Sequence, residues 1–192
     1  MRILRWSRIA LLGFAVCTLG WCAFVVTDTW WFQKQAGLEF DAKHIPMPAM
    51  DGLIGRLEIP RLGVSVVIAE GTADSTLRRA AGHIPGTGLP GRAGNVGIAG
   101  HRDTLFRPLR NVQQDDVILI TTLEGEYRYR VVSSKIVSPS DVSVLTPDGH
   151  ETLTLVTCYP FYFVGPSPDR FIIRAERLNP SEQSPRRWAD HS

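Results

Sequence analysis

The sequence predicts a mostly-β protein, a single closed or nearly closed barrel carried behind one membrane-spanning helix. Three observations predict it. Short runs of β-branched and aromatic residues recur between Gly, Pro and Asp turn signals from Ile54 to Ala175, the pattern of an all-β domain. Helical periodicity is confined to two short stretches. Residues 9–26 are an 18-residue stretch without a charge, just long enough to cross a bilayer.

Arg2, Arg5 and Arg8 precede that stretch and Asp28 follows it. Basic residues stay on the cytoplasmic side. Residues 1–8 are therefore expected in the cytoplasm, 9–26 in the membrane as a single-pass anchor, and the rest outside the cell. Trp30 and Trp31 fall at the outer interface, where amphipathic rings are favoured. A cleaved signal peptide is the rival reading, but residues 25–30 offer no A-x-A cleavage pattern. Lipoprotein processing at Cys22 needs a small residue before it, and Trp21 stands there. Cys17 and Cys22 are then packing residues in lipid. Residues 27–51, with Gly37, Pro46 and Pro48, read as a linker. Residues 52–178 are enough for one compact core. Residues 179–192, polar and holding Pro180 and Pro185, read as a flexible tail.

Within the domain, residues 54–59 alternate and stop at Pro60, and 64–69 form a β-branched run suited to a well-buried strand. A short strand is expected over 96–99. Residues 117–122 follow Asp115-Asp116, and Glu124-Gly125 turns the chain into 127–137, where Tyr127-Arg128-Tyr129-Arg130-Val131 puts alternate residues on a packed face. Strands over 152–158 and 170–175 complete the set. A helix is expected over 73–81, capped by Asp74 or Ser75, and a turn over 104–109. There is no internal repeat, low-complexity tract or metal-spaced Cys/His cluster. Without the three leading arginines the 21 basic residues fall to 18, against 19 acidic ones. A near-neutral exported domain excludes a role built on nucleic acid or another polyanion.

The residues that carry chemistry begin with Cys158. It ends the apolar run Thr154-Leu155-Val156-Thr157-Cys158, is followed by Tyr159-Pro160, and is the one cysteine beyond the membrane stretch. A lone thiol in an oxidising compartment is either a buried hydrophobe or is kept for its reactivity. A thiolate that attacks an amide needs a proton donor for the leaving amine and a donor for the oxyanion. His101 suits the first role, because it ends Gly94-Asn95-Val96-Gly97-Ile98-Ala99-Gly100, where small residues let backbones approach closely. His83, in Gly82-His83-Ile84-Pro85, is the competitor, either lining the same cleft or serving a structural turn. His44, His150 and His191 lie in linker, loop and tail. Arg170 opens the last strand, sharing a face with Ile172 and Arg174, while Cys158 shares one with Val156 and Thr154. If the two strands are neighbours, Cys158 and Arg170 meet at their connected ends, and a permanently charged guanidinium is there to donate.

Gly97-Ile98-Ala99-Gly100-His101-Arg102, Thr154-Leu155-Val156-Thr157-Cys158 and Asp169-Arg170-Phe171-Ile172-Ile173-Arg174 resemble, in order and strand context, the three signature segments of the sortases. The likeness runs from about Gly55 to Leu178. It implies an eight-stranded β-barrel with one or two short helices, and a cysteine transpeptidase that cuts a C-terminal sorting motif of the LPxTG type after its threonine. The thioester-linked acyl chain then passes to an amine, on a peptidoglycan precursor or a pilin lysine. By position Cys158 is the nucleophile, His101 the general acid, and Arg170 the oxyanion or substrate donor. Thiolate and imidazolium occur together in the active fraction, since each charge favours the other. Thr157 assists through its backbone or hydroxyl. Tyr159 and Phe161, with Tyr162 and Phe163, either wall the motif or pack the barrel end.

Cys158-Tyr159-Pro160-Phe161 is most similar to the class D type. Residues 138–150 are too short for the added helix of class B, and no Asp-Pro-aromatic lid marks class C. No cofactor is implied. Some members use calcium, but Asp115, Asp116, Asp141, Asp148 and Glu151 have no calcium-motif spacing. An L,D-transpeptidase would place Ser-His-Gly before its cysteine, and papain-like peptidases run cysteine before histidine. The reading from another class is a catalytically silent barrel that binds peptides or scaffolds an envelope complex.

Overall fold

The computed structural model describes residues 11–24, 26–28, 30, 52–162 and 165–178. The basic residues 1–8, residues 29 and 31–51 of the linker expected over 27–51, Phe163 and the tail after Leu178 lie outside them. The chain opens with an apolar helix, α1, over Leu11–Asp28, long and apolar enough to cross a membrane. Eight strands follow: β1 (Leu53–Ile59), β2 (Val64–Glu70), β3 (Ala81–His83), β4 (Gly94–Gly100), β5 (Val117–Thr122), β6 (Glu126–Val137), β7 (Glu151–Tyr159) and β8 (Asp169–Arg177). They close into one barrel in the order β1-β2-β3-β4-β7-β8-β6-β5, with β5 returning to β1. The pairs β2–β3 and β4–β7 are parallel and the other six antiparallel. The mostly-β barrel that the sequence predicts is what the chain forms.

Period-two alternation explains the core. Leu57, Ile59, Ile68, Ile98, Ile120, Tyr129, Val131, Leu153, Leu155 and Ile173 all point inward and are buried. Phe106 and Leu109, from the turn after β4 and the 3-10 helix Arg107–Asn111, complete this core. The helix expected over 73–81 is corrected. Only Asp74–Leu77 is helical (α2), and its N-cap is Ala73 without a side-chain cap, rather than Asp74 or Ser75. The rest of that stretch leads into β3, which the sequence reading missed. At Gly82 a Cβ would run into the Gly71 carbonyl oxygen and lie 2.9 Å from Leu77 Cδ2. The strand fits between β2 and β4 because that position has no side chain.

Two polar clusters tie the barrel ends. At the start of β7 the buried Tyr129 hydroxyl donates to Glu151 Oε1 at 2.5 Å, and the Gly91 N–H donates to the same oxygen at 3.0 Å. Burial, then the neighbouring carboxylate, push the Tyr129 hydroxyl far above its ordinary range, so it stays a donor. Near the β1–β2 turn, Arg61 Nη2 donates to Asp116 Oδ2 at 2.6 Å and to the Asn111 carbonyl at 2.7 Å, and Arg61 Nε also bonds Asp116. The Gln113 N–H adds a third donor to that carboxylate at 2.8 Å.

Hydrogen bonding from Arg61 holds the Asp116 carboxyl below its ordinary 3.8. A depressed carboxylate contributes stability above its unfolded value and loses it as the pH falls through the folded one. Asp116→Asn is therefore expected to melt earlier than the parent at neutral pH, with the gap closing below about pH 3.8. Thermal melts at neutral pH and in strong acid check this; an equal gap at both would sink the assignment.

Candidate active site

Register builds the site. In the β4–β7 pair, Gly97 faces Thr154, Ala99 faces Val156 and Gly100 faces Thr157. In the β7–β8 pair, Thr154 faces Arg174, Val156 faces Ile172 and Cys158 faces Arg170. Since Leu153 and Leu155 point into the core, Thr154, Val156 and Cys158 lie on the outer face, with Arg174, Ile172 and Arg170 beside them. His101 comes one residue after Gly100, so it follows directly on the Gly100–Thr157 pair with which the β4–β7 ladder ends. Cys158 and Arg170 thus pair across β7 and β8, and with His101, the residue just past the end of neighbouring β4, they make up a row at one end of the three strands.

Local packing explains why β4 stops there. A Cβ at Gly100 would lie 2.6 Å from the Phe106 ring, so the strand passes over Phe106 only as glycine, and the chain then turns. The His101 carbonyl accepts from the Phe106 N–H at 3.1 Å, closing that turn. Thr157 is buried, and its hydroxyl donates to the Gly100 carbonyl at 2.8 Å. It pins the residue before Cys158 to the residue before His101.

What separates the row from its surroundings is unspent hydrogen-bonding capacity. All three residues are half-buried. Among the described residues neither the His101 imidazole nor the Cys158 thiol bonds a protein group. Among the described residues Arg170 uses only Nη1, donating to the Asp169 carbonyl at 3.0 Å and the Ser167 carbonyl at 3.4 Å. A guanidinium has five N–H donors, so Arg170 has donors to spare. His83 is the opposite case. It is buried, its Nδ1 lies 2.9 Å from Glu70 Oε2, and its Nε2 lies 2.9 Å from the Gly88 carbonyl and 3.1 Å from Thr87 Oγ1. Both ring nitrogens are occupied, which fits the structural-turn role that Pro85 suggests.

The outer face continues from the row into a pocket of about 200 Å³ lined by Thr154, Ile172, Arg174, Ser133, Lys135, Ser143 and Val144. The 3-10 helix Val142–Leu145 forms one side. It is held on β4 and β7 by Asn95, whose Nδ2 donates to the Val144 carbonyl at 3.1 Å while its Oδ1 accepts from Thr154 Oγ1 at 2.8 Å. An extended peptide lying along β7 would meet pocket and thiol on the same face.

A family model for the sortase domain matches residues 57–178. The chain belongs to the sortase family. Its sortase domain is 38% identical over 125 residues to Sortase D of Bacillus subtilis, covering 65% of this chain and 63% of that protein. It is 30% identical over 135 residues to Sortase A of Listeria monocytogenes, covering 62% and 60%. The matched stretch is thus under two thirds of either relative. A solved Clostridium perfringens Sortase D5 transpeptidase superposes with a TM-score of 0.65 at 31% identity, covering 80% of this chain and 99% of that one.

The remaining expected residues of the sortase domain take these places. Tyr159 stacks on Phe171 with centroids 6.3 Å apart, and Phe161 meets Phe171 edge-on at 5.4 Å. Phe161 and Phe171 pack against the core, so this cluster caps the barrel end beside Cys158. The exposed Tyr162 ring lies 5.5 Å from the Arg110 guanidinium carbon. Asp116, Asp148, Glu151 and Asp141 are each engaged, by Arg61, Arg174, Tyr129 and the Ser143 N–H respectively. Among the described residues no group of three His, Cys, Asp or Glu side chains is placed to hold a metal ion. Sequence reasoning gave no role to Asn95 or Arg102. Both are buried polar side chains, and an outward pattern position carries no sign of that burial.

Proposed function

We propose that this chain is a membrane-anchored cysteine transpeptidase of the class D type, which cuts an LPxTG-like sorting motif and transfers the acyl chain to an amine. The observation that supports this reading is the Cys158–Arg170 pair across β7 and β8 with His101 just past the end of β4, three half-buried groups with atoms left unspent among the described residues. In the first step the Cys158 thiolate adds to the threonine carbonyl carbon and forms the C–S bond. Arg170 donates to the oxyanion through the N–H groups it does not spend on its own backbone. Collapse breaks the C–N bond, and the His101 imidazolium delivers its proton to the departing amine. The acceptor amine then attacks the thioester, loses a proton to His101, and leaves the thiolate restored. The motif's apolar residue suits the pocket between Ile172 and Val144.

Residues 1–8 are proposed to face the cytoplasm, with α1 as a single-pass anchor and the barrel outside, from Arg2, Arg5 and Arg8 on one side and Asp28 on the other. The partners are proteins bearing a C-terminal sorting motif and an amine on a peptidoglycan precursor or pilin lysine. Class D is favoured by the 38% identity to Sortase D together with Cys158-Tyr159-Pro160-Phe161.

Incubating the full chain in detergent with LPxTG- and LPxTA-type peptides and a panel of amines tests this by mass spectrometry. Ligated threonine amides are the expected products, and they name motif and acceptor together. Cleavage to the free acid alone would keep the thiol chemistry and make release the job. No product from any peptide, with Cys158 inert to alkylation, would make the barrel a silent peptide-binding module.

A further inference from the structure

Arg102 is 5% exposed, and a guanidinium taken out of water persists only where hydrogen bonds replace its hydration. Among the described residues, three of them go to one loop. Nη1 donates to the Pro160 carbonyl at 2.9 Å and to Ser167 Oγ, and Nη2 donates to the Gly165 carbonyl at 3.2 Å. The Asp103 carboxylate lies 3.4 Å from Nε. The loop so held joins Cys158 at the end of β7 to Arg170 at the start of β8. Its anchors bracket both: Pro160 is two residues after the thiol and Ser167 three before the guanidinium. Ser167 is also a relay, since its carbonyl accepts from Arg170 Nη1 at 3.4 Å. Arg102 itself follows His101. One buried side chain therefore couples the segments that carry all three members of the row.

The geometry points to Arg102 as the positioning residue of the site, acting through Ser167 and the β7–β8 loop to hold Arg170 where the oxyanion develops. This rests on the transpeptidase reading above. Arginine is required because its planar fork reaches several acceptors at once, whereas a lysine offers one compact point charge. Positioning matters because displacing a donor by about 1 Å costs about 100-fold in rate. Substrate binding along the outer face of β7 does not pass through Arg102. The loss therefore belongs in kcat rather than KM.

The experiment is a double-mutant cycle on the full chain in detergent, combining Arg102→Lys with Arg170→Ala and measuring kcat, KM, melting temperature and Cys158 alkylation rate. Arg102→Lys alone should lower kcat by about 10- to 100-fold with KM within about 2-fold. In the Arg170→Ala background it should lower kcat little further, because the group it positions is gone. Alkylation of Cys158 should stay near the parent rate. Ser167→Ala, which removes one anchor and keeps the Pro160 and Gly165 carbonyls, should reproduce a smaller kcat loss with the same failure to add. It also carries the test if Arg102→Lys does not fold. Losses that multiply with Arg170→Ala, or that follow the melting temperature, overturn the proposal. So does parent-like kcat in both variants of an active enzyme. A parent chain with no Cys158-dependent product overturns the transpeptidase reading instead, and the positioning role falls with it.

Discussion

Cys158→Ala is expected to remove every acyl-transfer product, a loss of about 10⁴-fold or more. The size follows from what the thiol does. It makes the covalent bond that splits one difficult aminolysis into two easier steps, and the row holds no other thiol or hydroxyl to replace it. The variant should fold, because Cys158 lies at the outer end of β7, half-buried, and losing one sulfur there opens no core cavity. A melting temperature near that of the parent is the control. Mass spectrometry of the parent trapped with peptide should show the protein mass increased by the acyl fragment, and the variant should not. Cys158→Ser should also fail, because a hydroxyl is far less ionised than a thiol and His101 offers no second partner to activate it. Ligation surviving in Cys158→Ala would remove the cysteine mechanism altogether. A silent barrel predicts something different: no acyl adduct on the parent and equal peptide affinity in both proteins.

Much of the fold was legible because its strands are long enough to show their period. Seven of the eight strands in the barrel lie where alternation or short apolar, β-branched runs between turn signals put them, and the face assignments for β7 and β8 hold at every position from Thr154 to Cys158. The eighth, β3, is Ala81-Gly82-His83. Three residues with neither a β-branched nor a bulky side chain carry no period, and the adjacent Ala-rich stretch favours helix on propensity alone. Tertiary pairing with β2 and β4 overrides it. The site divides in the same way. Cys158 and Arg170 were paired from strand parity, since both lie within clear alternating runs. The placement of His101 depends on the parallel β4–β7 pairing, which joins residues as far apart as Gly100 and Thr157 and leaves no local trace. Arg102 was invisible for another reason. An arginine beside an exposed aspartate reads as a solvated pair, and only the returning β7–β8 loop turns it into a buried clamp.

His101→Ala should lower ligation by about 10²- to 10⁴-fold, the range expected when a positioned general acid is lost. His83→Ala makes the comparison sharp. His83 bonds Glu70, Gly88 and Thr87 from within the barrel wall, so its removal leaves those partners unsatisfied and should cost about 1–3 kcal/mol of stability. Its kcat, measured on folded protein, should stay close to that of the parent. The two histidines therefore separate by readout: His101→Ala falls in rate with its melting temperature kept, and His83→Ala falls in melting temperature with its rate kept. The contrast follows from saturation. His83 spends both ring nitrogens on Glu70, Gly88 and Thr87 and has none left to face a substrate, whereas the His101 ring, bonded to nothing among the described residues, is free for the proton transfers proposed for it. If His83→Ala lost rate at full stability while His101→Ala did not, the roles would exchange, and the proton donor would act from β3 rather than from the end of β4.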